Sequence, residues 1–374
     1  MKKLLMIMLW AAFLFVFGTN VGAEEPADIS SLAEDYGAND TADSLPYDAA
    51  EFLRENNISP DDPEGITSLS PKTVIAYMTE KLKHSAAAPL RLFGTVISVV
   101  ILAAAGGAAA DVVQSGGSEK IYRTVAVLAA VPSLESCIDT AAQTLVQGSD
   151  FLVCYVPVFT GIAAASGNVT ASAGYNLTVL LLAQAAVKIA SDVLVPVISV
   201  CMAMNIIDAV NPAFSLSSIT GLLKKWTSLF LGLMMTVFTG LLSIQSIVGT
   251  SADTLGVKAA KFVVSNFVPI VGSAVADAYT TMRSGLGLLR GATGAFGIIA
   301  LCVTLLPPIL ETLCLYLAMT AGEAAAELFG AKELGRFFGG AASLLAMTGA
   351  VLACFVVMFV ISTVILMAAG MTAA

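Results

Sequence analysis

Among the stretches of this chain that carry no charged residue over a length that can cross a bilayer are Trp226 to Val248 and Ala342 to Ala369. A crossing helix needs about 20 consecutive apolar residues. Lipid offers no water to unpaired backbone groups, so such a run must satisfy its own N–H and C=O groups as a helix. The rest of the chain agrees with lipid as solvent. Hydrophobic residues make up 57% of the 374 residues and charged residues only 12%, against about 25% charged in soluble domains. The expected fold is an all-α polytopic membrane protein, a Gly/Ala-rich helical bundle with kinked or broken helices.

Charge is unevenly distributed. Residues 24–84 hold 14 of the 27 acidic residues and four of the 18 basic ones, a net of −10, whereas everything after carries −1. The overall net charge of −9 therefore describes a small acidic segment attached to a nearly neutral membrane body. No segment gathers enough Lys and Arg to neutralise a phosphate backbone, which argues against a nucleic-acid partner. Cys137, Cys154, Cys201, Cys302, Cys314 and Cys354 all lie in or beside apolar runs, with no CxxC pair, and read as small buried hydrophobes. His84 is the only histidine and cannot build a metal site alone. No cofactor is expected.

The chain begins with Lys2 and Lys3, an apolar run from Leu4 to Phe17, and small residues up to Ala23. Val21 and Ala23 suit a signal-peptidase site, so residues 1–23 read as a secretory signal, with a retained anchor as the alternative. Residues 24–90 then form an acidic extracytoplasmic segment, extended or loosely helical, with a short helix at Asp48–Asn56. Ser70 as N-cap and Pro71 at the first helical position predict an amphipathic helix over 70–83. Val74, Ile75, Met78 and Leu82 share its apolar face.

Residues 91–374 form the membrane domain. Candidate segments are 92–110, 122–145, 151–165, 176–190, 193–210, 226–248, 262–280, 292–319 and 342–369, for about seven to nine crossings. With the acidic segment outside, Lys120, Arg123, Lys224, Lys225, Arg283 and Arg290 are expected inside, and Lys258 and Lys261 outside. Gly106, Gly107, Gly232, Gly240, Gly294, Gly297, Gly339 and Gly340 punctuate the apolar runs. Small residues let helices approach closely where lipid supplies no hydrophobic drive, within one chain or between chains.

Ionisable groups inside apolar runs are Lys188, Asp192, Asp208, Asp277 and Glu311, with Glu323 and Glu327 nearby. They are costly in lipid and belong in a bundle interior, a cavity or an interface. Lys188 and Asp192, four residues apart, share a helix face and can pair. Pro157, Pro196, Pro269, Pro307 and Pro308 are candidate kinks. Asp208 and Asp277 each follow a Val-Pro step, as acids near broken transporter helices do. Their spacings from proline differ, and proline is tolerated in membrane helices. Packing and conduit roles both stand. No HExxH, GxSxG or phosphate loop is present, which disfavours a membrane-embedded enzyme.

Two longer stretches carry a family resemblance: NPAFSLSSITGLLKKW, Asn211 to Trp226, and VKAAKFVVSNFVPIVGSAVADAY, Val257 to Tyr279. With the signal and the acidic segment, the chain resembles the stage III sporulation protein AE family over most of its mature length. The resemblance implies a mother-cell membrane protein of endospore-forming bacteria, with the acidic segment facing the space between mother cell and forespore. It also implies partners from the same sporulation operon, among them a secretion-ATPase-like protein and ring-forming membrane proteins. Together with a forespore membrane partner, these form a channel that supports late forespore gene expression. It brings no catalytic residues. A stand-alone secondary transporter or permease is the competing reading.

Overall fold

The computed structural model describes residues 29–68, parts of 73–101, 118–211, 216–267 and 272–368. Four short helices come first: α1 (Ile29–Asp35), α2 (Asp40–Asp43), α3 (Tyr47–Glu55) and α4 (Pro63–Ser68). The long ones follow: α5 (Ser118–Ala165), α6 (Val169–Ile189), a π-helical turn (Ala190–Leu194), α7 (Val195–Val210), α8 (Ser217–Phe267), α9 (Gly272–Leu328) and α10 (Lys332–Ala368). No strand occurs among the described residues. The signal at 1–23 and Pro269 lie outside them. The expected helix at 70–83 is helical at its described positions 73, 76, 77, 79–81 and 83, as are residues 91–98 of the first candidate span.

Among the described residues, five helices are long and apolar enough to cross a membrane: Thr124–Ala165, Val169–Val210, Ser217–Gly256, Thr281–Leu328 and Lys332–Ala368. The chain is a polytopic all-α membrane protein. The last of these helices, with 37 residues, is about 55 Å long at 1.5 Å per residue, well beyond the ~30 Å hydrocarbon core. Each rod therefore also reaches beyond the hydrocarbon. Segments read separately in the sequence are continuous here: 122–145 and 151–165 both lie in α5, and 176–190 and 193–210 form one rod. Polar residues inside an apolar run do not end a helix, because its backbone bonds are internal to the segment.

The rods run antiparallel, and pairs of residues mark the two ends. At one end Arg283 Nε donates to the Ser166 carbonyl at 2.9 Å, and Asp253 meets the start of α6. At the other, Asp208, Lys224, Glu333 and Arg336 line one cavity. Arg283 and Arg290 thus sit at the opposite end from Lys224, a correction to the sequence reading. The reason is that residues 262–267 continue α8 while 272–280 begin α9, so 262–280 is not one rod.

The uniformly apolar α10 is the central helix. Some 72% of its apolar window is buried, against 22% for α8 at the periphery. A helix apolar on all sides belongs inside. Its neighbours approach closely at glycine. A Cβ at Gly297 would run into the Tyr155 ring, one at Gly294 into Met367, and one at Gly148 into Phe355 at 3.0 Å. Tyr155 is fully buried, stacks with Phe151 and Phe159 at 5.3 Å and meets Phe359 edge-on. Its hydroxyl donates to the Thr293 carbonyl at 3.2 Å. Glycine on α9 thus makes room for a large ring on α5, and dispersion across that contact supplies the cohesion that lipid does not.

The acidic segment is not extended. Its helices pack on α5 and α9. Leu45, Ala49, Phe52, Leu53, Ile58 and Ile66 are buried in the same cluster as Phe151 and Tyr155. The apolar side of α3 goes inward, while its acids stay in solvent. Phe52 meets Tyr77 at 4.3 Å between ring centroids, and Lys81 pairs with Asp48 at 2.7 Å.

Two outcomes follow from this packing. Gly297→Val is expected to overpack the Tyr155 contact and destabilise the chain by about 1–3 kcal/mol, seen as a lowered melting temperature in detergent. Its neighbour Gly291, around which a Cβ meets nothing within 4 Å, should tolerate Ala with little change. The hydrogen bond to Asp48 raises the Lys81 pKa above its ordinary value of 10.5. The stabilisation linked to Lys81 is therefore fully present below pH 10.5 and is lost as pH rises through the raised value. Proteolysis of residues 29–83 should accelerate in that alkaline window, and Lys81→Met should abolish the pH dependence.

Candidate functional site

The sequence-selected polar residues do not converge on one site. Lys188 and Asp192 pair at 3.9 Å, with side chains 81% and 62% exposed. They lie on the outside of the chain, not in the bundle interior that was one expectation for them. Pro196 explains the local geometry. Its ring lacks an N–H and crowds the carbonyl four residues back, at Asp192. The helix responds by widening: the Val195 N–H reaches back five residues to the Ala190 carbonyl, forming the π turn.

Asp208 stands at the far end of α7. Its carboxylate accepts from the Leu216 N–H at 2.9 Å, tying the end of α7 to the residue just before α8. It also lines a cavity of about 270 Å³ between α7, α8 and α10, together with Asn205, Thr220, Lys224, Glu333 and Arg336. Asn205 donates to the Phe337 carbonyl at 2.9 Å and packs against Gly340, where a Cβ would strike its side-chain amide. The lining mixes two acids and two bases with amide and hydroxyl groups. Cys201 is the thiol on its wall, and no histidine accompanies it. The arrangement can bind polar groups of both signs.

Glu311 is half-buried on α9, beside Thr312, whose hydroxyl meets the Cys137 sulfur at 3.3 Å and donates to the Pro308 carbonyl at 2.7 Å. The helix passes through Pro307 and Pro308 without interruption, as α5 does through Pro157 and Pro132. The Thr160 hydroxyl accompanies Pro157, donating to the carbonyls of Val156 and Pro157 itself. Asp277 falls in the first turns of α9, and its side chain lies outside the described residues. Glu323 packs over Gly339 between α9 and α10. Cys154 is exposed, whereas Cys137 and Cys201 are buried, so the uniform burial expected of the cysteines does not hold.

The sequence reading missed Asp253. Its two carboxylate oxygens accept from the Thr170 N–H at 2.8 Å and the Ala171 N–H at 2.9 Å. It is buried, at 8% exposure, and caps α6 from another helix. Gly249, one turn earlier, lets α8 approach the Ala171 backbone, where a Cβ would come within 2.6 Å of Cα. No local signal marks this cap, because donor and acceptor are 82 and 83 residues apart. Arg290 is likewise buried, with Ser166 Oγ at 3.4 Å from its guanidinium.

Comparison with known proteins places these features in context. The family model described as stage III sporulation protein AE matches residues 59–370. A Bacillus subtilis (strain 168) protein described as stage III sporulation protein AE is 23% identical over 250 residues, covering 66% of this chain and 63% of that protein. The match thus spans less than two thirds of the relative's length. No solved structure matches the chain.

Removing the Asp253 carboxylate takes the acceptor from the buried Ala171 N–H and the part-buried Thr170 N–H. Asp253→Ala should cost about 1–3 kcal/mol, measured as a drop in thermal stability of the detergent-solubilised chain. Asp253→Asn keeps one acceptor oxygen and should lose less. Equal stability of all three would show that the cap contributes nothing.

Proposed function

Because the chain belongs to the stage III sporulation protein AE family, we propose that it is a non-enzymatic membrane component of a channel complex linking mother cell and forespore. The observation that carries this is the family match over most of a polytopic helical body. The chain is thus a sporulation membrane protein. In this reading its partners are proteins of the same sporulation operon, a secretion-ATPase-like protein and ring-forming membrane proteins among them, with a forespore membrane protein across the gap.

The two ends of the bundle support an orientation. Lys120 and Arg123 begin α5, and Lys224, Lys225, Lys332 and Arg336 lie at the Asp208 end of α8 and α10. The acidic helices pack toward the Arg290 end, where Ala33 and Ala38 join Ile162 and Leu289 in one buried cluster. The positive-inside rule then favours the Arg336 end in the mother-cell cytoplasm and the acidic segment in the intermembrane space. A stand-alone secondary transporter remains the competing function.

Deleting the gene in its own host should arrest development after engulfment, with late forespore gene expression lost and restored by the intact chain. Affinity purification from sporulating cells should recover the secretion-ATPase-like protein. Normal spore yield on deletion would refute the proposal. Solute accumulation by the purified chain alone in liposomes would support the transporter instead.

A further inference from the structure

The exterior of the bundle has two unlike faces. On α8 the exposed side chains include Trp226, Leu229, Leu233, Val237, Leu241 and Ile244, as a lipid-facing helix should show. On α5 the exposed row is Glu135, Asp139, Gln143, Gln147 and Asp150. Successive members are four, four, four and three residues apart, so they form one stripe. It rises about 22 Å at 1.5 Å per residue, most of the ~30 Å hydrocarbon thickness. Val146 and Val153 share this exposed face, and Cys154 extends it by one turn.

The stripe is at bilayer depth. A Cβ at Gly148, beside Gln147, would meet Phe355 and Leu301. Phe355 is at the middle of the apolar run of α10, and Leu301 lies within that of α9. Among the described residues Glu135, Asp139 and Asp150 have no ion-pair partner. The neighbouring rod adds to the same character, since Gln184, Lys188 and Asp192 are exposed on it and its π turn packs against α5. These groups are too costly to face acyl chains. They are also too alike in charge to pack dry against a copy of themselves.

We infer that the α5 stripe borders a water-filled, cation-favouring passage through the membrane, while α8 faces lipid. This deepens the channel reading and rests on it for its biological purpose, but its physical content is separate. The passage is lined by Asp139, Gln143, Gln147 and Asp150, not by the interior of one bundle. Asp208 and the cavity at the end of α7 take no part in the lining.

The test uses the full chain in membranes of sporulating cells. Gln143→Cys and Gln147→Cys are made with the six native cysteines replaced, and Leu233→Cys and Ile244→Cys on α8 serve as lipid-facing controls. Each is treated with a cationic methanethiosulfonate, an anionic one and a lipid-soluble maleimide. The thiolate is the reacting species and forms only where water reaches. Positions 143 and 147 should therefore react with the cationic reagent about tenfold or more faster than the controls, and faster than with the anionic one. Native Cys154 in the otherwise unaltered chain, followed by peptide mass spectrometry, should behave likewise and does not depend on the folding of the variants. Labelling of 143, 147 and 154 no faster than that of the α8 controls would overturn the inference in favour of a lipid face. Absence of labelling by any reagent would overturn it in favour of a packed interface. Spore yield is scored separately. Fast labelling in a chain dispensable for sporulation would sink the channel reading and leave the wet face standing, whereas slow labelling in an essential chain would do the reverse.

Discussion

The contact between Gly297 on α9 and the buried Tyr155 ring on α5 expresses the force that organises this bundle. In lipid, apolar side chains gain little by leaving one apolar surrounding for another. Cohesion must come from dispersion across surfaces that fit. Glycine on one helix and an aromatic ring on the next provide that fit. The same logic recurs where Gly294 meets Met367, Gly148 meets Phe355 and Gly249 meets the backbone at Ala171. Around these contacts α10 becomes the axis and the other rods its wall.

Polar groups then occupy the places that packing leaves them. Where a carboxylate is buried, it satisfies backbone N–H groups, as Asp253 does at the start of α6 and, less buried, Asp208 does before α8. Other carboxylates and amides are exposed, as Asp139, Gln143, Gln147 and Asp150 are on α5 and Gln184 and Asp192 on the adjoining rod. The apolar face of α8 lies elsewhere on the bundle.

Much of this was legible from residue order. The runs at 226–248 and 342–369 read as helices because they are apolar and long, and both are. Lys188 and Asp192 were paired from their spacing alone, and they do pair. The short helix expected at 48–56 is α3, displaced by one residue at each end. The breaks expected at Lys188, Asp192 and Pro196 were wrong in kind. One π turn absorbs the proline, so two segments become one rod. Of the two states expected for the acidic segment, extended or loosely helical, its described residues take the helical one, and its docking was not foreseen because composition averages over faces. Its charges are real, but Phe52, Leu53 and Ile58 lie on the side that docks.

Residue sequence by itself determined the solvent, the helical state and the family, since each rests on local composition or contiguous motifs. Tertiary structure decided which end each charge occupies, which carboxylate caps which helix, and which polar residues lie outside. Those depend on how the rods are paired, and pairing is set by contacts between residues far apart in the chain. Asp253 meets Thr170 and Ala171, and Tyr155 meets Gly297 and the Thr293 carbonyl. No window of sequence contains both partners of either contact.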